Sequence, residues 1–496
     1  ESIRCPFTKE RLVLCGLFMN PTELLDLFND TEQYQLLQKH IGHSSIHAGN
    51  MPDSSKAVLI SRIQKDRNQP LLVLCPTADV ARNLCQSLHS YLSELNNRAF
   101  HFPESEILSF ERLSIESGTA HERLIALGSL YSMKRYPPII VTSVMGLLQK
   151  TIGPEIFAKH AHSLHEGDKI SYDSLLRNWT DLGYAVESNV ERLGTTAKRG
   201  GIIDIFSTAH DTPLRIDLWG DVIDKICSFD PLTQRSIQVT DSLTIYPAKE
   251  ILPQLLNPEL VTQSLNSLDF SKMDLVEKNR IHDEIANLIS GLQAENTAMY
   301  SGFFLRHTLL DHLPKNTMII TNEFSEIEEQ ASQLEDRETH IRQQKEARAE
   351  IPINFPSILK RWREIRNQLI HSPSYISLSR YTLPSNGFNN VNMPFAPAPS
   401  YHGAIDQMID DIKARNMGKI IFSTLHAQRL KEILTEQEIG VSETESFSSE
   451  NSNVTPLTTV LPVSAGFIVK DTENSKTILT ILTDSELFGS KKQFIP

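Results

Sequence analysis

Residues 71–75 read Leu-Leu-Val-Leu-Cys, an unbroken apolar run followed by an amphipathic helix that we predict over 78–95. A second run of this kind, Ile-Ile-Val-Thr-Ser, occupies 139–143. Short apolar runs that alternate with amphipathic helices are typical of parallel sheets, because crossover helices bury both faces of such a sheet. We therefore predict an α/β fold built on a parallel sheet.

Length and charge narrow the possible functions. The chain has 496 residues, enough for about three domains. Its 61 acidic and 48 basic residues give a net charge of −13, which argues against a protein that coats nucleic acid non-specifically.

The five cysteines form no CxxC pair and predict neither a disulfide framework nor a zinc site: Cys5, Cys15, Cys75, Cys85 and Cys227. No apolar run is long enough to span a membrane, so we predict a cytoplasmic protein.

Changes of pattern along the chain predict the domain organisation. We assign the parallel-sheet domain to two parts, 1–160 and 248–384, with a strand-rich α+β module, 161–247, inserted between them. The stretch 385–399 is rich in Asn and Pro, so we predict an interdomain linker there. Residues 400–496 carry alternating strand and helix patterns that predict a small, separate α/β domain.

A degenerate phosphate loop precedes the first helix of the parallel-sheet domain. A working loop has the pattern G-x-x-x-x-G-K-[ST], because bare backbone amides approach the phosphates and a hydroxyl holds magnesium. Lys56 keeps its place here, but Asn50 and Ser55 stand at the glycine positions and Ala57 at the hydroxyl position. These residues therefore predict an inactive nucleotide site, or simply an ordinary loop with a lone lysine.

The strand predicted at 317–321 ends at a second altered motif. In a P-loop ATPase such a strand ends in Asp-Glu and holds magnesium, whereas this chain has Asn322-Glu323. By itself an Asn-Glu pair after a strand carries little information. Together with the altered loop, it indicates a parallel-sheet ATPase fold that has lost its catalytic residues. The sequence suggests no other catalytic set, no metal site and no cofactor.

Residues 214–219, Leu-Arg-Ile-Asp-Leu-Trp, alternate with the period of a β-strand. If the aliphatic side chains face the core, then Arg215, Asp217 and Trp219 face outward. Trp and Arg are frequent in binding hot spots, so this face is a candidate interface. The alternative is a Trp that lies over its own neighbouring strand.

A set of spaced motifs resembles a known module. They are Gly-Tyr at 183–184, Glu-Arg-Leu-Gly at 191–194, Arg-Gly-Gly-Ile-Ile-Asp-Ile-Phe at 199–206, Pro-Leu-Arg-Ile-Asp at 213–217, Phe-Asp-Pro at 229–231, Thr-Gln-Arg-Ser at 233–236 and Pro-Ala-Lys-Glu at 247–250. This set resembles the UvrB-homology module, which the excision-repair protein UvrB shares with the bacterial transcription-repair coupling factors. UvrB has an intact phosphate loop and a Tyr-rich hairpin, whereas this chain has neither. The resemblance therefore favours the coupling factors.

The resemblance implies a function. It implies the N-terminal region of a coupling factor, a helicase-like domain with a degenerate ATP site whose inserted module binds UvrA through Arg199, Arg215 and Trp219. In that family, RNA polymerase and DNA are bound by later regions, including an ATP-driven translocase, which we do not expect in this chain. The expectation is a recruitment module for nucleotide excision repair and not an enzyme. The alternatives are an active UvrB-like or helicase-like ATPase acting on damaged DNA and, more weakly, a local DNA-binding patch.

Overall fold

The computed structural model describes most of the chain. The described residues are 25, 29, 31–92, 99–107, 109–111, 117–132, 137–291, 298–382, 389–414, 417–424, 426–440, 457–459, 465–471 and 476–489. Cys5 and Cys15 lie outside them, as do the first residues of the predicted linker, 385–388.

A seven-stranded parallel sheet forms the centre of the first domain. Its strands are β1 (Ile46–Gly49), β2 (Leu71–Cys75), β3 (Ala99–Phe102), β4 (Ile139–Ser143), β13 (Met318–Asn322), β14 (Tyr375–Leu378) and β15 (Asn389–Asn392). Their order across the sheet is β15-β1-β14-β13-β2-β4-β3, and every neighbouring pair is parallel. The predicted α/β class with a helicase-like parallel sheet is confirmed.

Helices connect and cover the strands. They are α1 (Glu32–His40), α2 (Asp53–Arg67), α3 (Ala78–Tyr91), α4 (Ser117–Tyr131), α5 (Val144–Leu148), α6 (Pro154–His160), α7 (Tyr172–Asp181), α8 (Pro258–Asn266), α9 (Leu275–Ile289), α10 (Ser301–Phe304), α11 (Leu309–His312), α12 (Phe324–Ala347), α13 (Trp362–Ile370), α14 (Ile405–Lys413), α15 (Ala427–Glu436) and α16 (Asp484–Phe488). A short 3₁₀ helix occupies Pro253–Leu255. Among the described helices, none is both long and apolar enough to cross a membrane.

Helix α3 shows how the sequence sets these elements. Its N-cap Thr77 accepts a hydrogen bond from the backbone N–H of Val80, which satisfies a donor that has no partner inside the helix. Its buried residues recur at helical spacing and pack on the sheet: Ala81, Leu84, Cys85, Leu88 and Tyr91. The amphipathic pattern therefore places α3 over the strands that the apolar runs form.

The inserted module is built on a six-stranded sheet. Its strands are β6 (Ala185–Val186), β7 (Thr195–Arg199), β8 (Ile202–Ile205), β9 (Leu214–Trp219), β10 (Val222–Phe229) and β11 (Ser236–Val239), in the order β11-β10-β9-β8-β7-β6. A separate pair joins β5 (His162–His165) to β12 (Ser242–Ile245). Gly220 has φ +64° in the tight turn between β9 and β10.

A buried ion pair holds the chain against the parallel-sheet domain just after the inserted module. Arg123 on α4 donates from Nε to both carboxylate oxygens of Glu250, at 3.0 and 3.1 Å. Its Nη1 donates to the Pro103 carbonyl, and its guanidinium lies 4.0 Å from the centre of the Phe102 ring. Since Glu250 follows β12 closely, this pair fixes the point at which the chain leaves the inserted module.

A five-stranded mixed sheet forms the last part of the fold. Its strands are β16 (Phe395–Pro397), β17 (Lys419–Ser423), β18 (Leu457–Thr459), β19 (Phe467–Lys470) and β20 (Thr477–Thr483), in the order β16-β19-β20-β17-β18. Side chains of this sheet share one core with the parallel sheet, including Phe395, Phe467 and Ile481. The two sheets are therefore packed together and not merely joined by a linker.

The prediction of a linker over 385–399 is wrong for residues 389–397. β15 pairs with β1, and β16 pairs with β19, so this stretch connects the two sheets as strands. Val391, Met393 and Phe395 are buried at two-residue spacing. The Asn and Pro content of the stretch hid this period-two pattern. The limits of the predicted domains otherwise stay predictions.

The buried imidazole of His312 makes stability depend on pH. Its Nε2 lies 2.7 Å from the Ile152 carbonyl and its Nδ1 lies 2.9 Å from the Tyr131 hydroxyl, an arrangement that suits a neutral ring. Burial is the main cause that lowers the pKa of His312 from 6.5 to about 4. The unfolded chain therefore binds this proton more readily than the folded chain does.

We expect the free energy of unfolding to fall as the pH drops from about 6.5 to about 4, by at most about 1.4 kcal/mol per pH unit from this residue. His312→Gln should unfold with a smaller slope over that interval, whatever its absolute stability. Denaturant titrations of both proteins at several pH values measure the slopes. Equal slopes would contradict the prediction.

Candidate functional site

The degenerate phosphate loop lies between β1 and α2, where a parallel-sheet ATPase would hold its nucleotide. Helix α2 begins at Asp53, with Pro52 as its N-cap. Asn50 in the loop has φ +59°, and its side-chain oxygen accepts a hydrogen bond from the Thr382 hydroxyl at 3.2 Å. A Cβ at Gly49 would lie 3.1 Å from the Tyr381 carbonyl and from the Thr382 Cα. The segment at 381–382 thus lies directly against the loop.

Lys56 is buried, with a relative exposure of 1%, and its ammonium is fully occupied. Nζ donates to Asp53 Oδ1 at 2.7 Å, to Asn322 Oδ1 at 2.6 Å and to Glu323 Oε1 at 2.7 Å. An ammonium has three N–H donors. Each of them therefore has an acceptor within the protein, and none is left for a phosphate.

The other predicted residues of this site are placed around Lys56. The Ser55 hydroxyl donates to the Pro52 carbonyl at 2.8 Å, inside the loop itself. Ala57 is buried and has no group that could hold a metal ion. The Asn322 amide lies 3.9 Å from the Cys75 sulfur, where burial raises the pKa of the thiol to about 12. The structure therefore brings together the five residues of the altered site, Asn50, Ser55, Lys56, Ala57 and Asn322. The polar side chains among them form hydrogen bonds within the protein.

The sequence did not identify three contacts of this site, which are made by Asp53, by Glu323 as a partner of Lys56, and by Gly466. Asp53 stands three residues before Lys56 on the same helix, a spacing that could have suggested the pair. Glu323 also accepts from the backbone N–H of Arg380 at 2.8 Å and from the Ser379 hydroxyl at 3.2 Å. The hydroxyl of Ser54 donates to the Gly466 carbonyl at 3.0 Å, so the five-stranded sheet contacts the first turn of α2. No sequence signal pointed to that contact.

The second candidate site is the outer face of the six-stranded sheet. Strand pairing sets Ala197, Asp204, Arg215, Cys227 and Val239 side by side across five strands, and Arg199, Ile202 and Asp217 form the next row. On β9, Leu214 and Ile216 are buried beneath the sheet, whereas Trp219 is 82% exposed. The predicted alternation of β9 is confirmed.

Arg215 differs from the expectation that its guanidinium is available to a partner. Nε and Nη2 donate to the two oxygens of the buried Asp204, at 2.7 and 2.9 Å, and Nη1 donates to the Gln234 carbonyl at 3.1 Å. The guanidinium lies 4.5 Å from the centre of the Phe229 ring, and the side chain is 16% exposed. The hydrogen bond with Asp204 is the main cause that raises the pKa of Arg215. The sequence pattern showed which face Arg215 occupies but not that Asp204 stands opposite it.

Arg199 is more accessible than Arg215. Its side chain is 45% exposed, with Nη2 at 3.3 Å from the Gln234 side-chain oxygen and at 3.9 Å from Asp204. It ends β7 beside Gly200, which has φ +60° in the tight turn to β8. The outer face therefore presents Trp219 and Arg199, while Arg215 supports the face from within.

Metal chemistry finds no support in either site. Within the described ranges, no group of three or more His, Cys, Asp or Glu side chains is placed to hold a metal ion. The two carboxylates nearest the altered loop, Asp53 and Glu323, both pair with Lys56. The arrangement suits a structural cluster at one place and a binding face at the other.

Comparisons with known proteins show similarity over the inserted module and over much of the chain. The family model described as UvrB interaction domain matches residues 163–251, which contain the whole outer face. The transcription-repair-coupling factor of Bacillus subtilis (strain 168) is 24% identical over 430 residues, which are 82% of this chain and 36% of the relative. That of Myxococcus xanthus is 28% identical over 211 residues, covering 42% of this chain and 18% of the relative. That of Mycobacterium bovis is 29% identical over 317 residues, which are 60% of this chain and 24% of the relative.

The chain thus spans about a third or less of the length of these curated relatives. The sequence-based recognition is confirmed as a similarity: the chain is similar to transcription-repair-coupling factors over most of its length, resembles their N-terminal region, and matches the UvrB interaction domain over residues 163–251.

Proposed function

We propose that this chain is a recruitment module that binds UvrA through the outer face of its six-stranded sheet and so brings nucleotide excision repair to a stalled RNA polymerase. The observation that carries the proposal is that Trp219 is exposed and Arg199 accessible on the same sheet, within the residues that match the UvrB interaction domain. Exposed Trp and Arg side chains are the types that most often dominate binding energy.

The contacts of the outer face indicate a different role in binding for each of its three residues. Arg199 supplies the accessible positive charge, which suits a carboxylate on the partner. Trp219 supplies apolar area at the end of β9, where its ring is free of the module's own core. Arg215 is a positioning residue, since it neutralises the buried Asp204 and holds the Gln234 carbonyl.

We also propose that this chain does not hydrolyse ATP. Every donor of Lys56 is bonded within the protein, and Ala57 and Asn322 replace the groups that would hold magnesium. The contact between Ser54 and Gly466 places another part of the chain at the first turn of α2. Any ATP-driven translocation, and binding to RNA polymerase and DNA, would belong to regions that the longer relatives possess beyond the matched stretch. We place the module in the cytoplasm, where these partners act.

Trp219→Ala and Arg199→Glu should each weaken binding of purified UvrA by about thirtyfold or more, because truncation of a hot spot commonly costs about 2 kcal/mol. Titration calorimetry or biolayer interferometry measures the affinity. Arg82→Glu is the matched control, since Arg82 is exposed on helix α3 of the parallel-sheet domain. Wild-type affinity in the Trp219 and Arg199 variants would place the interface elsewhere.

Arg215→Glu should destabilise the module instead of only weakening binding. A second carboxylate would face the buried Asp204, and loss of one partner from such a pair costs about 3 kcal/mol or more. Thermal and urea unfolding of the variant measure this loss. A wild-type unfolding curve together with lost UvrA binding would show that Arg215 contacts the partner directly.

The wild-type chain should bind ATP no more tightly than millimolar and should show no turnover. Lys56→Met should lower the free energy of unfolding by about 3 kcal/mol, because Glu323 and Asn322 lose their shared donor. Equilibrium dialysis, a phosphate-release assay and urea unfolding test the three statements. Micromolar ATP binding that Lys56→Met abolishes would instead establish a working nucleotide site.

A further inference from the structure

The turn between β10 and β11, residues 230–235, is fastened to the proposed UvrA-binding face. The Gln234 carbonyl accepts from Arg215 Nη1 at 3.1 Å, and its side-chain oxygen accepts from Arg199 Nη2 at 3.3 Å. Its side-chain amide donates to the Pro231 and Val190 carbonyls, at 2.7 and 3.3 Å. The turn therefore lies against the two arginines and forms part of the same surface.

Leu232 projects from this turn with a relative exposure of 88%, the highest among the large apolar residues that the structure describes. The turn is also preorganised. Asp230 Oδ1 accepts from the backbone N–H groups of Leu232 and Thr233, at 2.8 and 3.3 Å, and these bonds lower the pKa of Asp230. A side chain carried by an ordered turn loses little further backbone entropy when a partner binds it.

The apolar area of the face extends to the edge of the sheet. Val239 on the edge strand β11 is opposite Cys227, which in turn is opposite Arg215, and Val239 is exposed. Three apolar side chains are thus exposed on the sheet that carries Arg199 and Arg215 or on its turn at 230–235: Trp219, Leu232 and Val239. Isolated exposed apolar groups need no explanation, but several on a surface that also presents an accessible cation, here Arg199, are typical of a binding surface.

We infer that Leu232 is a second apolar anchor for the partner that Trp219 and Arg199 engage. This inference rests on the proposed function and extends it. The partner surface should pair an acidic group, opposite Arg199, with an apolar slot that takes the Leu232 side chain. The alternative occupant, a second copy of this chain, is an outcome of the test.

The test uses the full chain and purified UvrA. Leu232→Ser should weaken UvrA binding by about tenfold, since it removes an anchor within the interface. Leu275→Ser is the matched control, because Leu275 is equally apolar and well exposed but lies on helix α9, outside the six-stranded sheet. Leu232→Ser should keep the salt dependence of binding, whereas Arg199→Glu should reduce it, because only the second change removes a charge.

Each outcome decides the inference. A tenfold loss in Leu232→Ser with wild-type affinity in Leu275→Ser supports it, provided that both variants unfold as the wild type does. Wild-type affinity in Leu232→Ser together with lost binding in Arg199→Glu would overturn the inference and leave the proposed function standing. Absence of UvrA binding by the wild-type chain would overturn both. A dimer in analytical ultracentrifugation that Leu232→Ser disperses would assign the surface to self-association and also overturn it.

Discussion

The hydrogen bonds of the buried Lys56 ammonium are the interaction on which the arrangement of the first domain depends. It joins the first turn of α2 to the end of β13, and its three acceptors come from residues 53, 322 and 323. A buried charge is tolerated only when it is paired and fully hydrogen-bonded. In a working ATPase this position faces the phosphates, whereas here the protein supplies the negative charge itself. Lys56 is thus a structural contact between α2 and the end of β13.

This internal pairing also explains how the five-stranded sheet can pack so closely. With the lysine satisfied from within, the loop at 49–52 needs no space for a ligand. The chain at 381–382 lies against Gly49, and Ser54 bonds to the Gly466 carbonyl. Apolar side chains of both sheets then merge into one core that includes Met51 and Phe467. The internal pairing of Lys56 and the docking of the last sheet are therefore two aspects of one arrangement.

The inserted module also contains a buried charge, but there the charge is a carboxylate that an arginine neutralises. Asp204 is buried on the outer side of the sheet, and Arg215 neutralises it with two hydrogen bonds. Arg215 thereby becomes part of the support, and the turn around Gln234 is held against it. Arg199 and Trp219 stay accessible at the margins. A binding face of this kind depends on a paired charge beneath it, since an unpaired Asp204 would disrupt the sheet.

The sequence by itself determined the α/β class, the strands at 71–75 and 139–143, and the alternation of β9. Apolar periodicity and caps act over a few residues, so a local pattern is sufficient for them. It also placed Asn50, Ser55, Lys56 and Ala57 in one region, because the spacing of a phosphate loop is a local property. Only the tertiary structure decided that Lys56 is bonded to Asn322 and Glu323. It alone showed that Arg215 is committed to Asp204, and that residues 389–397 join two sheets. Those contacts link residues distant in sequence or in neighbouring strands, and their energies depend on burial, which no local pattern reports.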